Sequence, residues 1–77
     1  MKYMFYFENG YFEISHSTDG YLLTIQKDNE TEKLGTYHTP IMAADEVSTI
    51  DIEYDLPFEI TLISPIPADL SEWDYLQ

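Results

Sequence analysis

The residues of this chain best equipped for chemistry are carboxylates, and their most ordered run is Ile50-Asp51-Ile52-Glu53-Tyr54-Asp55, where apolar and acidic side chains alternate. Same-face residues of a β-strand lie roughly 6.7 Å apart, so Asp51, Glu53 and Asp55 on one strand would form a carboxylate row about 13 Å long. The chemistry of such a row is electrostatic: it attracts a basic surface. Phe58-Glu59-Ile60-Thr61-Leu62-Ile63 repeats the alternation and adds Glu59. Asp45 and Glu46 fall toward the end of a predicted helix, where the partial negative charge of the helix favours cations. Helix stability therefore does not account for them. Asp45, Glu46, Asp51, Glu53, Asp55 and Glu59 are the candidate partner-binding residues.

Catalytic and metal chemistry find little support. His16 and His38 are the only imidazoles, and acids are so frequent that proximity to one carries no information. A surface or sheet-packing role is expected for both. No serine elbow, HExxH, P-loop or dinucleotide-binding glycine pattern occurs. Asp28-Asn29-Glu30-Thr31-Glu32 offers oxygens at alternate positions, but a calcium loop needs a glycine at its sixth position, where Lys33 stands. Cysteine is absent, which removes thiolate sites and disulfides and fits a cytoplasmic setting. No catalytic residue, metal or cofactor is implied, and the chain is expected not to be an enzyme. Trp73, beside Leu70, Tyr75 and Leu76, reads as a staple of the terminus to its own core in preference to a partner anchor.

The elements that would position these acids follow from period and turn chemistry. Residues 2–7 and 11–16 are aromatic and β-branched runs around Glu8-Asn9-Gly10, and Asn-Gly is a strong hairpin signal. Asp19-Gly20 turns the chain into a third strand over 21–27, and a polar connection leads to a fourth over 33–38. At Thr39-Pro40 the period changes. Thr39 suits an N-cap and Pro40 the first helical position, with Ile41, Ala44 and Val47 as the expected inward stripe of a two-turn helix. Residues 50–55 and 58–63 are expected to pair as a second hairpin with Phe58, Ile60 and Leu62 inward. A short terminal helix over 67–76 would align Leu70, Trp73 and Leu76. The expected fold class is α+β: an antiparallel sheet of five or six short strands, a meander plus a C-terminal hairpin, with one helix after strand four.

Length and charge set the remaining bounds. Seventy-seven residues allow one domain, 1–77, with 44% apolar residues and twelve aromatics as core material. The opening apolar run is too short for a secretory h-region, and no stretch approaches a membrane span. Fifteen Asp and Glu face three Lys and no Arg, a formal net charge of −12. Repulsion excludes direct binding to nucleic acid or to an anionic membrane. A globule about 30 Å across spans a length of duplex carrying about 18 phosphate charges, so the two charge densities are of one order.

In size, charge and β-rich layout the chain resembles the small acidic inhibitors of phages and mobile elements, DNA mimics of the anti-restriction and anti-CRISPR kind. Leu34-Gly35-Thr36-Tyr37-His38-Thr39-Pro40, Ala43-Ala44-Asp45-Glu46-Val47 and Pro67-Ala68-Asp69-Leu70-Ser71-Glu72-Trp73 also look like pieces of small bacterial and phage proteins, a likeness that implies no activity. The resemblance implies a non-enzymatic inhibitor that occupies a basic nucleic-acid-binding surface of a host defence protein in the host cytoplasm. Two other readings stand beside it: an immunity or antitoxin protein against a basic nuclease, and a structural or assembly module. Monomer and homodimer are both compatible with the sequence, and a saline habitat is a further source of acidity.

Overall fold

Three tight turns, ten residues apart, build the sheet. Phe7 pairs with Gly10, Ser17 with Gly20 and Lys27 with Glu30, so each hairpin closes over two residues. Asn9 (φ 71°), Asp28 (φ 54°) and Gly20 (φ 128°) take the left-handed conformations these reversals require. In the computed structural model, which describes all residues except Glu53 and Ile63, the resulting strands are β1 (Lys2–Phe7), β2 (Gly10–Ser17), β3 (Gly20–Lys27) and β4 (Glu30–Tyr37). Strand four thus begins earlier than Lys33, because Asp28 and Asn29 suffice for the turn and Glu30–Lys33 can lie exposed on an edge.

The helix begins as Thr39-Pro40 predicts. Helix α1 (Pro40–Ser48) has Thr39 as its N-cap, whose hydroxyl accepts from the Met42 N–H at 3.1 Å, and Pro40 in the first turn. Its buried side is Ala43, Ala44 and Val47. Ile41 is 65% exposed, contrary to the expected stripe. At about 100° per residue it lies about 115° from the centre of the arc that the other three define.

The α+β class is as expected, and the possible terminal helix over 67–76 is shortened to one turn. A single 3-10 turn, Leu70–Glu72, is capped by the Asp69 carboxylate accepting from the Ser71 N–H at 2.9 Å, and strand β5 (Asp74–Leu76) follows. Strand β5 pairs antiparallel with β1, so the order is β4-β3-β2-β1-β5. The open edge of β1 offers the tail ladder partners that a lone terminal helix lacks. Trp73 staples this return as expected: it is buried, and its indole N–H donates to the Pro67 carbonyl at 2.8 Å.

The second hairpin is not formed among the described residues. The Tyr54 and Asp55 N–H groups donate to the Asp51 carbonyl at 3.2 and 2.8 Å, which turns the chain back on Asp51, and among the described residues no strand occurs between Ser48 and Leu70. Local bonding by an aspartate competes with a strand ladder, and Pro57, Pro65 and Pro67 withhold ladder donors. Ile52, Leu56, Phe58, Ile60 and Leu62 nevertheless pack toward the core. The alternation reports one-sided burial without strand pairing. Ile63 and Glu53, parts of the expected hairpin, lie outside the described residues.

All of this covering material packs on one sheet face. Phe7, Phe12, Ile14, Leu23 and Ile25 meet Ala43, Ala44, Val47, Ile66 and Trp73 there. The opposite face, which carries Lys2, Met4, Tyr6, Glu13, Thr24 and Lys33 by register, has no second layer among the described elements. Met4 is buried on it because Tyr6 folds back and its hydroxyl reaches the sulfur at 3.9 Å.

Candidate functional site

The expected carboxylate row does not exist as a strand, since Asp51 and Asp55 sit on a turn and Glu53 lies outside the described residues. What replaces it is a gathering at the C-terminal end of α1. Asp45 and Glu46 are exposed on the last turns of the helix, and Asp51 and Asp55 follow on the turn that succeeds it. The Asp55 carboxylate accepts from the Asp51 N–H at 3.2 Å, which ties the two together. Glu59 stands apart, where its carbonyl accepts from the Lys27 ammonium.

The helix end is completed by hydroxyls instead of cations. Ser48 donates to the Asp45 carbonyl at 2.7 Å and Thr49 to the Glu46 carbonyl at 3.0 Å, and no basic residue occupies the last turn. The partial negative charge of the helix end therefore adds to the carboxylates. Among the described residues the one ion pair is Lys2–Glu13 at 3.6 Å, on the uncovered sheet face.

Glu46 and Asp55 share the rim of a cleft of about 370 Å³ between α1 and the edge formed by β3 and β4, floored by Leu23, Leu34, Val47 and Ile50. Tyr37 and Thr49 complete the rim. Burial, and then the Glu46 charge, push the Tyr37 phenol above its ordinary pKa of 10.0. Tyr37 and the apolar floor had no mark in the sequence beyond strand and helix periodicity. Nine positions separate Tyr37 from Glu46, and only the packing of α1 on β4 joins them.

The histidines take no part. Both are exposed, and His16 contacts the Tyr21 ring edge-on at 5.2 Å. No group of three His, Cys, Asp or Glu able to hold a metal occurs among the described residues. The Asp28–Glu32 stretch is a turn and the start of β4, with the Thr31 hydroxyl bonded to the Gln26 amide oxygen. No helix among the described residues is long and apolar enough to cross a membrane. Compared with known proteins, the chain matches no family model, no curated protein and no solved structure.

Proposed function

We propose that this protein is a non-enzymatic inhibitor that binds a basic, nucleic-acid-binding surface of another protein through the carboxylates at the C-terminal end of α1. The observation that carries the reading is the separation of charge. Asp45, Glu46, Asp51 and Asp55 occupy one end of the helix, while Lys2 and Lys33 lie on the opposite sheet face. Lys27, the third cation, lies on the covered side with its ammonium on the Glu59 carbonyl, so a basic groove meets acids that Lys2 and Lys33 do not offset, which favours steering and register. The likeness in size and charge to acidic phage inhibitors agrees with this reading, with a host defence protein as the kind of target.

The test is displacement of a labelled DNA duplex from protamine, an arginine-rich DNA-binding protein, at 50 mM and 200 mM salt. The chain is expected to displace DNA at the lower concentration and to lose most of that effect at the higher, where screening is stronger. The double reversal Asp45→Lys with Glu46→Lys is expected to weaken displacement by at least about tenfold, as close charge pairs are worth upward of one such factor. Glu13→Gln, on the uncovered face, should leave it within about twofold. Equal displacement by the double reversal and the parent chain would remove the proposal.

A further inference from the structure

We infer that the cleft between α1 and the β3–β4 edge is a socket for one arginine side chain of the partner, an inference that rests on the binding reading above and sharpens it to a single anchor. Its floor is apolar: Leu23 and Val47 are buried, and Leu34 and Ile50 pack against the same core. Its lining also includes two exposed acids, Glu46 and Asp55, with Tyr37 and Thr49. The volume of about 370 Å³ falls within the range of roughly 300–1,000 Å³ typical of ligand pockets.

An anion is repelled from such a rim, and a purely apolar group would strip water from carboxylates without pairing them. An arginine answers both surfaces at once. Its methylenes lie on leucine and isoleucine while its planar guanidinium offers five donors to carboxylates and stacks on a tyrosine ring. The negative end of the helix adds to the attraction. The chain does not fill the socket from within: the Lys2 ammonium pairs with Glu13, that of Lys27 bonds the Glu59 carbonyl, and Lys33 lies on the other sheet face. Two other cavities lack this combination. The larger, about 740 Å³, has Glu59 with Lys27 already in its lining, and the depression beside Trp73 has no charged wall.

The test is a titration of the ¹⁵N-labelled protein with N-acetyl-arginine-methylamide, followed by amide chemical shifts, with the lysine and norleucine analogues alongside. Arginine is expected to shift Leu34, Tyr37, Val47, Thr49 and Ile50 first. Glu46→Gln should weaken its binding about tenfold, the worth of one charge-assisted hydrogen bond. Asp74→Asn changes the net charge equally on β5, at the opposite edge of the sheet from the cleft, and should alter binding less than twofold. Equal weakening by the two variants, or shifts spread over all acidic segments, would overturn the socket, as would lysine or norleucine binding as tightly as arginine. Loss of protamine competition on charge reversal would then still support the broader reading. Arginine binding in the cleft combined with protamine competition indifferent to charge reversal would overturn the broader reading and leave a site for small cations.

Discussion

The two faces of this one sheet share strands and turns yet differ in every energetic respect. The covered face buries Phe12, Ile14 and Ile25 completely beneath α1 and Trp73, whereas the open face buries Met4 alone, its sulfur within reach of the Tyr6 hydroxyl. By register the open face holds Lys2 and Lys33 against Glu13 and Asp74, so it is formally neutral in a chain of net −12. The acidity of this protein is a property of its helix side and rims. A formal charge summed over the sequence hides that partition.

The largest effect that sharpens this comparison is a cavity on either face. Phe12→Ala should cost about 3–5 kcal/mol in urea unfolding, and Met4→Ala about 2 kcal/mol, since neighbours on a single layer collapse more readily onto the gap. Equal costs would mean that both faces are packed alike. Next comes salt. Raising ionic strength from 0.01 to 1 M shortens the screening length from about 30 to about 3 Å, and the urea midpoint should rise as self-repulsion fades. The gain should shrink in a variant carrying Asp45→Asn and Glu46→Gln and persist in Glu13→Gln, which breaks only a surface pair worth less than about 1 kcal/mol.

Two smaller effects depend on single protons. The Ser71 backbone N–H, and then its hydroxyl, hold the Asp69 carboxyl below its ordinary pKa of 3.8. Between the folded value and 3.8 the unfolded chain binds more protons, so Asp69 stabilises the fold above 3.8 and loses that contribution as pH falls through the lower folded value. The stability gap between the parent chain and Asp69→Ala should accordingly narrow in acid unfolding below pH 3.8. For Tyr37 the sign is opposite: its raised phenol contributes stability below pH 10 that is lost as pH rises through the folded value. Glu46→Gln removes the second cause of that rise, and an NMR titration of the Tyr37 ring carbon should show a lower pKa in the variant.

The first half of the fold is legible because its determinants are local. A turn needs a residue tolerant of positive φ, and Asn9, Asp28 and Gly20 supply it. A helix start needs a side-chain acceptor and a residue without an N–H, and Thr39-Pro40 supplies both. The second half misleads because alternation has two structural outcomes. Ile52, Leu56, Phe58, Ile60 and Leu62 face the core as their spacing requires, but nothing in that spacing says whether their backbone finds a ladder partner. Tyr54, in phase with them, is 80% exposed, because the turn begun at Asp51 rotates it outward.

Residue types and their neighbours determined the acidic charge, the meander, the start of the helix and the burial of alternate side chains after it. Only the tertiary structure decided which strand takes the free edge of β1, where the carboxylates gather, and that Tyr37 and Leu34 share a cleft with Glu46 and Asp55. Local signals act over a turn of chain. Edge pairing and cleft formation are contests among distant segments for the same partners, and their outcome depends on the whole set of competitors.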